Sequence, residues 1–159
     1  RVMASRGKSL SFNDEEVEEL LHVQYGDKRT FALLSLLFPY VDLRNQFHVD
    51  HIFPISRFTR AKLRKAGMPE KDIEGLGQAA KELPNLQLLE GPMNNEKRAK
   101  LPKDGLDHSF ANEGQKKSYL ERHLLGSVPD GVDGFEQFVK QRKQRLKPLV
   151  AAILSEAGA

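Results

Sequence analysis

The sequence contains no cysteine. Disulfides and thiolate-held metals are therefore excluded, and stability must come from packing. Long apolar runs are also missing. The most apolar stretch, Phe31–Phe38, falls far short of the ~20 residues of a membrane span. Arg1-Val2-Met3-Ala4-Ser5-Arg6 lacks the apolar core of a secretory signal, so a cytoplasmic location is expected. Gly7-Lys8-Ser9 matches the end of a phosphate-binding loop, but Val2 stands where that loop needs its first glycine. Nucleotide binding in that stretch is rejected. There is no internal repeat, low-complexity segment or obvious interdomain linker.

What is present suits one globular unit. The chain has 159 residues, 39% apolar and 30% charged, with a net charge of +3. Because it begins on Arg1, the expectation is a piece of a longer protein whose upstream domain is absent. The charge is unevenly spread. Asp14, Glu15, Glu16, Glu18 and Glu19 crowd the first helix. Basic residues form three runs: Arg57, Arg60, Lys62, Arg64 and Lys65; Lys97, Arg98, Lys100 and Lys103; and Lys140, Arg142, Lys143, Arg145 and Lys147. A solvated helix face is the expectation for the last run. The first two flank the chemistry-bearing residues and are expected to meet phosphate, with Arg57, Arg60, Lys97, Arg98 and Lys100 as the candidate contacts.

The periodicity predicts a mainly α, α+β fold, with a small β-hairpin-plus-helix core set among helices. Helices are expected over Ser11–Gln24, Phe31–Phe38 (capped by Thr30 and buried all round), Arg57–Ala66 (capped by Ser56), Pro69–Lys81, Lys116–Leu125 and Phe135–Leu154. Phe47–Phe53 and Leu86–Leu89 read as strands, and Pro92 opens a helix carrying Asn94, Asn95, Lys97 and Arg98. The expected organisation is helical support over 1–45, a core with a helical insertion over 46–104, and C-terminal helices over 105–159.

The chemistry concentrates in Phe47-His48-Val49-Asp50-His51-Ile52-Phe53-Pro54, Asn85-Leu86-Gln87-Leu88-Leu89 and Asn94-Asn95-Glu96-Lys97. Asp50 offers a carboxylate and Asn94 an amide carbonyl, the hard oxygen donors that Mg²⁺ or Mn²⁺ prefers. His51 has the intrinsic pKa of a general base near neutrality. His48 shares the strand face of Asp50 and is a third ligand, a DNA contact or a packing residue. Asn95 rivals Asn94, and Glu96 is an exposed helix residue or a further approach to the metal. One geometric condition follows: Asp50 and His51 can serve one site only if the strand bulges or ends there.

Together these segments resemble the HNH, or ββα-metal, nuclease family. Asp50-His51-Ile52-x-Pro54 is similar to its first motif, Asn85-Leu86-Gln87-Leu88-Leu89 to its second and Asn94-x-x-Lys97 to its third. The nine-residue step from Asn85 to Asn94 also matches. The resemblance implies that Asp50 and Asn94 bind one divalent metal and that His51 activates water. It further implies that Asn85 braces the strand connection and helps orient His51, and that Lys97 lies near phosphate. DNA is the implied substrate, cut to leave a 5′-phosphate and a 3′-hydroxyl. Many compact members carry a cysteine-bound zinc, which this sequence cannot. A broader likeness extends to the C-terminal nuclease domain of GmrSD-type and SspE-type phage-defence proteins. It rests on the start at Phe47, on Tyr119-Leu120-Glu121 and on Phe135-Glu136-Gln137-Phe138. It implies the effector of a bacterial anti-phage or modification-dependent restriction system, with DNA and an upstream sensor or nucleotide-hydrolysing domain as partners. The alternatives are a catalytically inactive DNA-binding or regulatory module on the same fold, or a protein-interaction domain.

Overall fold

The computed structural model describes residues 14–39, 44, 46–90 and 100–157. Helix α1 covers residues 14–21 and α2 covers Lys28–Leu37. Strand β1, Phe47–His51, is followed by a short 3-10 turn and by helices α3, Arg60–Lys65, and α4, Glu70–Ala79. Strand β2, Leu86–Glu90, returns antiparallel to β1. Helices α5, Pro102–Ser109, α6, Glu113–Arg122, and α7, Phe135–Ala157, complete the order. The architecture is mainly α with one two-stranded sheet, as the periodicity predicts. Among the described residues, no helix is long and apolar enough to cross a membrane.

Several local expectations are corrected. Asp27, not Thr30, caps α2: its carboxylate accepts from the Arg29 amide, while Thr30 lies inside the helix and donates its hydroxyl back to the Gln24 carbonyl ahead of it. An ionised carboxylate ahead of the helix is the stronger partner for its free N–H groups. Nor is α2 buried all round. Leu33, Leu34 and Leu37 face the core while Phe31 and Leu36 are exposed. Thr59, not Ser56, caps α3, because a 3-10 turn over Ile55–Phe58 takes up the preceding residues. Gly67, at φ +83°, closes α3. Helix α4 runs unbroken through Gly75 and Gly77, and His108 lies in α5. β1 stops at His51, two residues short of the expected Phe53. The helix expected after Pro92 lies outside the described residues.

Two apolar clusters carry the packing. One joins α1, α2, β2 and α7 through Val17, Leu21, Leu34, Leu86, Leu88 and Leu146. The other joins the insertion to α7 through Phe53, Phe58, Leu63, Ile73, Phe135 and Phe138. Helix α7 spans both, and its buried stripe contains a cation. Arg142 follows Phe138 and precedes Leu146 by one turn each, so it falls on the stripe, and it is 0% exposed. The expectation that its basic run is a solvated face is therefore wrong at this position. Its guanidinium donates to the carbonyls of Pro84 (2.9 Å), Leu86 (2.6 Å), Leu83 (3.5 Å) and His123 (3.2 Å). The run is further spent internally, because Lys143 and Lys147 reach Glu18 of the acidic α1 at 2.8 and 3.5 Å.

A buried guanidinium holding several carbonyls is costly to remove, because both the ion's site and the carbonyls lose their partners. Arg142→Ala is expected to lower the unfolding free energy by about 3 kcal/mol or more, measured by urea denaturation. Arg142→Lys should recover less than half of that loss, since an ammonium cannot span the same fork of acceptors.

Candidate active site

The site is built on the last rungs of a ribbon whose strands are far apart in sequence. His48 pairs with Leu89, Asp50 with Gln87, and His51 with Leu86. Residues 52–85 form the connection, so no tight turn fixes the register. Asn85 does so instead. It is fully buried, and its main-chain carbonyl accepts from Ile52 N at 2.7 Å. Its side-chain Oδ1 accepts from Phe53 N at 2.9 Å, and its Nδ2 donates to Phe53 O at 3.0 Å and to Ala80 O at 2.8 Å. The amide thus pairs with Phe53 as another peptide group would, extending the ladder past the point where β1 ends. Aspartate could not substitute, because two of the three partners are carbonyls that need a donor. This clasp ties the chain leaving β1 to the entry of β2.

β1 pairs regularly through its last two residues, Asp50 with Gln87 and His51 with Leu86, so neither a bulge nor a strand end falls between them and the condition set by adjacency is not met within the strand. Alternation up to that last rung puts Asp50 and His51 on opposite faces of the ribbon. On one face, the half-buried Asp50 accepts at Oδ2 from Gln87 Nε2 at 3.1 Å. Gln87 Oε1 in turn accepts from the Tyr119 hydroxyl at 3.1 Å. Beside them lies a cavity of about 30 Å³, lined in part by Ile52, Gln87, Leu89, Leu106, Phe110 and Tyr119. On the other face, the His51 ring meets Tyr25 with centroids 4.6 Å apart. Tyr25 is held by its own backbone: its N–H donates to Lys81 O at 2.8 Å, while Gln24 bridges to Glu82. His48 is exposed, so the packing alternative for it is not realised.

Asn94, Asn95, Glu96, Lys97 and Arg98 lie outside the described residues. Asp50 is thus the described half of the expected ligand pair. The donor chemistry still fits a hard cation: Mg²⁺ takes one or two carboxylates and keeps several waters. Among the described residues, no group of three or more His, Cys, Asp or Glu is placed to hold a metal. A magnesium site needs no such group.

The first basic run divides by helical geometry. Arg60 and Arg64, one turn apart on α3, both grip Glu70, at 2.6 Å and 2.7 Å. The Arg64 hydrogen bond holds the Glu70 carboxyl below its ordinary range. Lys62 and Lys65 face the other way. With Arg57 they line a groove of about 510 Å³ against Leu101, Val132 and Asp133. Arg57 lines this groove, while Arg60 is engaged by Glu70. Lys100 is half-buried at the point where description of the chain resumes.

Sequence reasoning missed Gln87, Tyr119 and Tyr25. Gln87 was legible as the polar residue of an otherwise apolar strand. Tyr119 and Tyr25 come from distant helices, and only the tertiary fold brings them in.

Neither family models nor curated proteins give a match to this chain.

Next to Tyr119, His123 packs against its ring at 4.2 Å and against Phe38 at 5.6 Å. Burial, and then the neighbouring charges of Arg142 and Arg122, push its pKa down to about 4. The folded pKa lies below the unfolded value of 6.5, so the unfolded chain binds the proton more readily. Stability from this group is complete above pH 6.5 and falls as the pH drops toward about 4, by about 3 kcal/mol at most. Denaturation curves between those limits should show this slope in the native protein and a shallower one in His123→Phe, which keeps the ring and loses the titration.

Proposed function

We propose that this chain is a metal-dependent endonuclease domain of the HNH type that hydrolyses DNA phosphodiester bonds. The observation that carries the reading is the Asp50 carboxylate held by Gln87 on the rung next to His51, with the end of the strand clasped by Asn85. In-line displacement at phosphorus needs the attacking water and the leaving oxygen on opposite sides.

In this reading Asp50 and Asn94 hold Mg²⁺ or Mn²⁺. The bound cation supplies positive charge to the scissile phosphate and to the departing oxygen. His51 takes the proton from the attacking water, with Tyr25 fixing the plane of its ring. The P–O3′ bond would break as the new P–O bond forms, and the departing O3′ would take a proton from a solvent water, leaving a 5′-phosphate and a 3′-hydroxyl. Asn85 keeps the rung rigid through its clasp on Phe53. Arg57, Lys62 and Lys65 line a groove suited to phosphate, and loss of binding with rising salt is its signature. The likeness of Tyr119-Leu120-Glu121 and Phe135-Glu136-Gln137-Phe138 to phage-defence nucleases supports a finer reading. The domain is the cutting end of a cytoplasmic bacterial defence protein governed by an upstream domain.

Supercoiled plasmid in Mg²⁺, with a chelator control, tests the reading. His51→Ala should slow nicking by at least ~10²-fold, the scale of a lost general base, with an unchanged circular dichroism spectrum. Equal rates for His51→Ala and native protein would remove the base from the mechanism.

A further inference from the structure

We infer that Gln87 and Tyr119 are positioning residues, forming a two-step relay that orients the Asp50 carboxylate toward a divalent cation. This rests on the reading of Asp50 as a metal ligand. The relay consists of two hydrogen bonds, Tyr119 hydroxyl to Gln87 Oε1 and Gln87 Nε2 to Asp50 Oδ2, each at 3.1 Å. Its direction is forced by chemistry. An ionised carboxylate only accepts, so the amide nitrogen of Gln87 must face Asp50. The amide oxygen then faces Tyr119, whose hydroxyl must donate. Each group has one workable orientation, and the Asp50 carboxylate inherits it.

The relay is anchored at its far end. Gln87, the second residue of β2, is 4% exposed and lies under α5. The Tyr119 ring is flanked by Phe110 at 5.0 Å and His123 at 4.2 Å. The carbonyl of His123, which ends α6, is held by Arg142. The same guanidinium holds the carbonyl of Leu86, next to Gln87. Both relay residues are therefore referenced to one buried ion, and their separation is fixed. A purely structural glutamine would need only some acceptor and donor. This one spends its donor on the single carboxylate assigned to the metal, engaging Oδ2 from one side and setting the plane in which the carboxylate meets a cation. Hydrogen bonds of this kind to metal-binding carboxylates typically alter affinity ~10–100-fold.

The test is Mn²⁺ titration calorimetry on the full chain, with melting measured separately in chelator. Tyr119→Phe keeps the ring, and Gln87→Met keeps the volume. Each should weaken Mn²⁺ binding ~10-fold or more while the chelator melting temperature stays close to native. The double variant should be no weaker than the weaker single, because either change breaks the same chain. Asp50→Ala should abolish the binding. Native affinity in both Tyr119→Phe and Gln87→Met, with binding lost in Asp50→Ala, would overturn the relay and leave the metal reading intact. Unchanged binding in Asp50→Ala would overturn both. A second arm uses Gln87→Asn, which keeps the amide but is one methylene short. It should bind as weakly as Gln87→Met, and native affinity there would count against the fixed geometry.

Discussion

The guanidinium of Arg142 is the constraint on which the rest of this structure depends. Burying a cation in an apolar stripe is unfavourable unless the protein surrounds it with acceptors. Here the acceptors are main-chain carbonyls at the entry to β2 and at the end of α6. Satisfying the ion therefore fixes where β2 begins relative to α7. That in turn fixes the pairing of Gln87 with Asp50, because a slip of one residue would send Gln87 to the opposite face. Planarity suits arginine to the task, since one fork reaches carbonyls in two separate segments.

This constraint matters because the ribbon has no short turn. Residues 52–85 leave β1, build α3 and α4, and return. A tight hairpin would set its register through its turn, and this one sets it through Asn85 and Arg142. Asn85 clamps the outgoing strand at Phe53, and Phe53 is packed edge-on against Phe135 of α7. Both ends of the connection are thus tied to the same long helix. The insertion is free to carry something else, and what it carries is a groove lined by Arg57, Lys62 and Lys65.

Much of this was legible in the sequence. Alternating and helical periods locate both strands and most of the helices, and the residue types of Asp50, His51 and Asn85 single them out as candidates for a site. The limits of that reading have physical causes. Thr30 and Ser56 are good caps by type, but capping is decided by which oxygen meets the free N–H groups, and Asp27 and Thr59 do so. Arg142 was counted with its charged neighbours, although its spacing from Phe138 and Leu146 places it on the buried stripe. Exposure belongs to the position on the helix and not to the charge of the run. Tyr25 and Tyr119 have no local signal at all, since a tyrosine becomes a positioning group only through what the fold sets beside it. The pairing of Arg60 and Arg64 with Glu70 is a further case, because it depends on how α3 lies against α4.

The central claim is that the end of β1 is a cation centre, with Asp50 as ligand and His51 on the water side. Anomalous diffraction from crystals soaked in Mn²⁺ tests it most directly. The account predicts an ion in the coordination shell of the Asp50 carboxylate, with Asn94 as its second protein ligand and the His51 imidazole facing a metal-bound or neighbouring water. Manganese bound only along the acidic residues of α1, with none at Asp50, would contradict it.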